Sequence, residues 1–226
     1  MSLENIYDNF RSLLEANKKL LEYVKYILLV FFIAFPIHYL YQSYVFKREA
    51  KAEVMLSDSL KDYDQALSLN ISNADEKQID SHWQDVHALF ELAQQKNSSA
   101  SLEAYMAVFN AQILARLGKL DEAKKVLDKA LVKLDGSPYS GLYRLFEALL
   151  AIETEDSLGE EKLIALASDQ TNPDRDAALY FLGIYQLSKG NKESAVMSFN
   201  NIELSVDKNS YSPWKHLAEN QLNLIS

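Results

Sequence analysis

The sequence predicts an all-α protein, with one N-terminal transmembrane helix followed by a helical-repeat domain. Three observations predict it. From Tyr26 to Phe46 the chain runs 21 residues without Lys, Arg, Asp or Glu. After Lys47 the apolar residues recur at helical spacing to the end, with only six glycines and four prolines in the whole chain and no sustained alternation of the strand kind. Within that part, two segments 72 residues apart resemble each other, and such internal similarity marks stacked supersecondary units.

The apolar run reads YILLVFFIAFPIHYLYQSYVF. As a helix it is ~31 Å long, which matches a bilayer's hydrocarbon core. Tyr23 and Tyr26 at one end, and Tyr39, Tyr41 and Tyr44 at the other, stand where aromatic interface belts form. Core helices of globular proteins are seldom apolar on every face. Ala50-Lys51-Ala52 has the small-x-small form of a signal-peptide cleavage site. However, the run is longer than an h-region, and Lys47, Arg48 and Glu49 crowd the cleavage zone, so the segment is expected to stay as an anchor. Pro36 should produce a mild kink, and His38, among tyrosines, an interfacial hydrogen bond. Lys18, Lys19 and Lys25 precede the span and Lys47, Arg48 and Lys51 follow it. The positive-inside rule therefore leaves orientation open.

Residues 1–25 form a tail in which Leu3, Ile6, Tyr7, Phe10, Leu13, Leu14, Leu20 and Leu21 recur at helical spacing among Glu4, Asp8, Arg11 and Glu15. This predicts an amphipathic helix, broken or bent near Asn17, for a partner or the lipid bilayer surface. The domain plan is thus tail 1–25, transmembrane helix 26–46 and soluble domain 47–226. The whole net charge of −9 lies in that last part, which holds 19 basic and 28 acidic residues. An acidic domain repels phosphate backbones, so nucleic acid is excluded as a partner. The absence of cysteine excludes disulfides and thiolate metal sites.

Polar breaks near Asn70–Asp75, Lys96–Ser99, Asp135–Ser137, Glu155–Asp156, Asp169–Pro173 and Asn209–Ser212 divide the soluble part, giving about nine helices in antiparallel pairs. Asn172-Pro173 and Ser212-Pro213 each place a capping side chain before a proline, a helix start signal. Residues 104–131 read AYMAVFNAQILARLGKLDEAKKVLDKAL and residues 177–202 read AALYFLGIYQLSKGNKESAVMSFNNI. Matching Gly118 with Gly190 pairs Ala111 with Gly183, Leu114 with Gln186, Ala123 with Ala195, Leu127 with Phe199 and Ala130 with Ile202.

With those residues the chain resembles the tetratricopeptide repeat. Ala111 and Gly183 match the small residue where two helices cross, Gly118 and Gly190 the turn, and Ala123 and Ala195 the small residue of the second helix. The unit between them, about 139–168, is degenerate. It keeps Leu142, Leu145, Phe146, Ala148 and Leu149, then Leu163, Ile164 and Leu166, but lacks the glycine turn. The usual tryptophan is missing from both good units, and the closing proline is shifted to Pro138.

The full layout also resembles the bacterial ancillary subunit of the SecYEG translocon, the YfgM-like family. FRSLLEANKKLL runs from the tail into the span, YQLSKGNKESAVMSF falls in the last repeat, and the chain closes on NQLNLIS. The resemblance implies an inner-membrane protein with residues 1–25 in the cytoplasm and 47–226 in the periplasm. Its implied partners are membrane proteins of the Sec translocon and a membrane-anchored prolyl-isomerase-like chaperone. The implied role is a scaffold that assists secreted chains. The competing expectation is a membrane-tethered cytosolic adaptor that recruits a soluble partner.

No constellation for chemistry is legible, so neither an enzyme nor a cofactor nor a small-molecule substrate is expected. His82 and His87 are five apart and point about 140° from each other on a helix, which rules out shared ligation of a metal. His216 stands alone beside Trp214 and Lys215. Asn70-Ile71-Ser72 and Asn97-Ser98-Ser99 are glycosylation acceptors by pattern only. Binding is expected on the concave face made by the first helix of each pair. The repeat register puts Tyr105, Val108, Gln112 and Arg116 on that face, with Tyr180, Ile184 and Leu187. Domains that clamp the carboxylate tails of cytosolic chaperones carry Lys and Asn at places held here by Val108 and Gln112.

Overall fold

A computed structural model of the chain describes residues 18–71, 75–204 and 212–225, with the side chains of 18–25, 27–29, 70–71 and 203–204 excepted. Every regular element among them is a helix. In order these are α1 (Lys18–Ile71), α2 (Glu76–Lys96), α3 (Glu103–Arg116), α4 (Leu120–Leu134), α5 (Ser140–Glu153), α6 (Leu158–Ser168), α7 (Arg175–Ser188), α8 (Lys192–Leu204) and α9 (Pro213–Ile225). The chain divides into two units, Met1–Lys51 and Ala52–Ser226.

The first unit's described part is the beginning of α1. The helix runs on through Pro36, where the ring removes one backbone donor. Among the described residues no helix is long and apolar enough to cross a membrane. The side chains of Ile27, Leu28 and Leu29, three of the most apolar residues of the 26–46 run, lie outside the described residues. The amphipathic reading of the tail falls on residues 1–17, which also lie outside them.

The second unit is a stack of helix pairs, compatible with the tetratricopeptide arrangement. From α2 onward each helix packs on its sequence neighbours, α5 also meets α7, and α7 meets α9, so contacts stay between adjacent pairs. Three apolar clusters follow one another along the stack. The first joins Tyr63 and Ala66 of α1 to Trp83, Val86 and Phe90 of α2 and to Met106 and Ile113 of α3. The second joins Ala107, Ala111 and Leu114 of α3 to Ala123 and Leu127 of α4 and to Tyr143 and Leu150 of α5. The third joins Leu145, Leu163, Leu179, Leu182 and Phe199 to Ala218 of α9. The last helix thus closes the apolar end of the stack.

The described helix ends coincide with the polar breaks of the sequence, with one correction. Asn172 does not cap α7. Its Oδ1 accepts from the backbone N–H of Asp174 at 3.0 Å, an Asx turn, and the helix begins at Arg175. That loop leans over the start of α5. Asp174 accepts a hydrogen bond from the Leu142 backbone N–H. A Cβ on Gly141 would strike Asn172 Oδ1 and stand 2.7 Å from Asp174 Oδ2.

Burial raises the Asp174 carboxyl above its ordinary value, against the smaller opposing effect of the Leu142 bond. A raised folded value means that the contribution to stability is complete below the unfolded value and is lost as pH rises through the folded one. Asp174→Asn keeps an acceptor without the charge. Its melting temperature relative to wild type should therefore rise as pH increases upward from the ordinary carboxylate range. A constant difference would contradict this.

The degenerate middle pair keeps the turn without the glycine. Gly118 and Gly190 take left-handed φ values of 73° and 78°, and Glu155 stands at the same place with φ 56°. The capping bonds match. Lys119 N–H reaches Leu114 O at 2.9 Å, Asn191 N–H reaches Gln186 O at 2.9 Å, and Asp156 N–H reaches Ala151 O at 2.8 Å. A side chain in that conformation costs ~1–2 kcal/mol. Glu155→Gly should therefore stabilise the domain by about 1 kcal/mol after the glycine's own entropy cost, read as a higher urea midpoint at unchanged m-value. A lower midpoint would contradict this.

The 72-residue offset divides unequally. From Ala111 to Ala148 is 37 residues and from Ala148 to Gly183 is 35, rather than two equal units.

Candidate functional site: a groove on the first-helix face

Along α3 the residues Ala104, Met106, Ala107, Val108, Ala111, Ile113 and Leu114 are buried, because α2 and α4 cover it on two sides. A narrow strip stays accessible: Tyr105, Phe109, Gln112 and Arg116, at steps of four, three and four. The corresponding strip of α5, 37 residues on, is Leu142, Phe146, Leu149 and Glu153. Between the two strips lies a groove of about 560 Å³ lined by Tyr63, Gln112, Ala115, Arg116, Phe146, Leu149, Leu150 and Glu153.

Aromatic contacts fix one wall. The Tyr63 ring stands edge-on to Trp83 at 5.3 Å and to Phe109 at 5.5 Å. Its O–H donates to Gln112 Oε1 at 3.2 Å. Burial raises the phenol above its ordinary value, with Arg116 opposing. The Arg116 guanidinium carbon lies 5.1 Å from the Trp83 ring centroid, so a cation–π contact holds the head in place. The floor is apolar at Phe146 and Leu149, and the rim carries an amide, a guanidinium and a carboxylate.

Of the sequence-predicted residues, Gln112 and Arg116 line this groove. Val108 does not. It is 1% exposed inside the second cluster and closed to any partner. Tyr180 is displaced for the same reason, since it occupies the place of Val108 and Leu145 in the repeat. Its ring packs on Phe199 at 5.9 Å and on Trp214 of α9 at 5.4 Å. Ile184 shares the register of Gln112, yet it packs with Leu187 against the third cluster. Tyr105 is half-buried, edge-on to Tyr143 at 6.2 Å. Tyr63, Phe146, Leu149 and Glu153 were missed. The 37-residue shift from Phe109, Gln112 and Arg116 would have found the last three.

His87 and one acceptor asparagine, Asn97, serve packing. His87 Nδ1 lies 2.6 Å from Oδ1 of the buried Asn110, whose Nδ2 donates to Gln94 Oε1 at 2.9 Å. This polar chain fixes α2 on α3. Asn97 is 2% exposed and donates to Ala93 O at 2.8 Å, which removes it as a glycosylation acceptor. The Asn70 side chain lies outside the described residues.

A second groove, of about 790 Å³, lies beside α4 and α6. Its cations are consumed by pairs at 2.5 Å, Lys124 with Asp156, Lys162 with Glu147 and Arg144 with Asp135, while Asp128 also lines it. The first pair raises the Lys124 ammonium and lowers the Asp156 carboxyl, chiefly through their shared hydrogen bond. An anionic ligand there would have to break an existing pair. Among the described residues no group of three His, Asp or Glu is placed to hold a metal.

No protein-family model matches this chain, and neither does any curated protein.

Proposed function

We propose that the chain is a membrane-anchored protein-binding scaffold. Residues 26–46 are the anchor, and the helix pairs offer the groove of Gln112, Arg116, Phe146 and Leu149 to a partner protein. The observation that carries the reading is that groove, with an apolar floor rimmed by one amide and two charges, which suits a peptide or protein better than a small metabolite. The anchor rests on the charge-free run and on its described side chains. Val30, Phe31, Phe32 and Ile33 are successive residues, each turned ~100° from the last, and all four are exposed. Apolar groups on every face are tolerated in lipid and costly in water.

The order of tail, span and repeats supports a role as an ancillary periplasmic subunit of the Sec translocon. There the chain would work with a membrane-anchored prolyl-isomerase-like chaperone on secreted proteins. Alkaline carbonate should leave the full chain in the membrane pellet, and a reporter joined after Ser226 should be active only outside the cytoplasm. Release by carbonate would overturn the anchor. A reporter active in the cytoplasm would turn the reading into that of a tethered cytosolic adaptor.

A further inference from the structure

Arg116 and Glu153 hold equivalent places, at the ends of α3 and α5, and line one groove. They carry opposite charges, yet neither has an ion-pair partner among the described residues. Elsewhere in this unit exposed cations near a carboxylate close on it, as Lys61 does on Asp58, Lys133 on Glu103 and Arg144 on Asp135. Arg116 is held back by the Trp83 ring and by Tyr63. One face of its guanidinium is stacked, which leaves the planar donor edge for a carboxylate.

Resting on the groove reading above, we infer that the groove takes an extended internal segment of a partner protein with a bipolar pattern. An Asp or Glu side chain of the segment meets Arg116, and a Lys or Arg side chain meets Glu153. An aliphatic or aromatic side chain beside the one that meets Glu153 lies on Leu149 and Phe146, one and two turns back along α5. Charge complementarity fixes which way the segment crosses from α3 to α5, since the reversed direction would set like charges together on both helices. The floor back from the two charges is apolar at Leu149 and Phe146, so a neighbouring residue of the partner supplies burial rather than hydrogen bonds.

The test is selection from a library of random 12-residue peptides, displayed without free termini, on the full chain in detergent micelles. Selected peptides should carry an acidic and a basic residue in one fixed order, with an apolar residue beside them. Arg116→Gln should weaken them about tenfold or more, the scale of a charge-assisted hydrogen bond, with helix content and melting retained. The double variant Arg116→Glu with Glu153→Arg should select the reversed order. Peptides without an acidic residue, affinity unchanged in Arg116→Gln, or an empty selection would overturn the inference. Phe146→Asp separates the two levels. If it abolishes binding while Arg116→Gln does not, the charge pattern is wrong and the groove stands. If it leaves the affinity intact, binding lies elsewhere and the groove reading fails with it.

Discussion

Gly159→Ala should destabilise the repeat domain by about 3 kcal/mol, the upper end for overpacking a close contact. A Cβ at Gly159 would lie 2.7 Å from Ile152 Cγ1, 2.8 Å from the Ile152 backbone nitrogen and 3.1 Å from the Ala151 carbonyl carbon. The Ile152 side chain can rotate away, but the backbone of α5 cannot retreat without opening the α5–α6 crossing. The comparison is Gly183→Ala, whose Cβ would meet the Phe199 ring at 2.5 Å. There the obstacle is a side chain, though one that is 2% exposed and tightly packed. Urea unfolding of residues 52–226 measures both. A loss under about 1 kcal/mol at Gly159, within the scatter of ordinary surface changes, would show that the two helices separate easily.

Tyr180→Ala should lower stability by about 2–3 kcal/mol, somewhat less than the ~3–5 kcal/mol of a fully buried aromatic. The ring touches Phe181, Phe199 and Trp214, so its loss opens the seam between α7, α8 and α9. This reverses the role expected from the sequence, where Tyr180 was a partner anchor. Thermal unfolding followed by circular dichroism decides it. An unchanged melting temperature would return Tyr180 to the surface and restore the sequence-based register.

How far the fold was legible follows from which signals are local. Helix ends are set by polar runs, Gly and Pro, and the breaks at Asp135–Ser137 and Glu155–Asp156 stand where α4 and α5 end. The turn at Glu155 was not legible as a turn, because a left-handed Glu carries no glycine signature. The small residue at the α5–α6 crossing was hidden as well. Gly159 stands four residues after the turn, whereas Ala123 and Ala195 stand five after theirs.

The candidate site was half legible. The repeat register places a strip on α3, but which side of the strip is covered depends on how deeply α2 and α4 clasp the helix. One position separates the buried Val108 from the accessible Phe109. The same register made Tyr180 a groove residue, although its ring packs on Phe199 and Trp214. The Trp214 contact depends on α9 folding back, which no local pattern encodes.

The central claim is that a partner protein sits in the first-helix groove while the chain is held in a membrane. Site-specific photo-crosslinking in native membranes tests this most directly. The photoreactive residue replaces Gln112 or Leu149 in the groove, or Val132, which is 81% exposed on the opposite groove. Position 112 or 149 should give a discrete crosslinked protein in the carbonate-resistant membrane fraction, and position 132 should not. Crosslinks that arise only from position 132, or no partner from the groove positions in intact membranes, would contradict it.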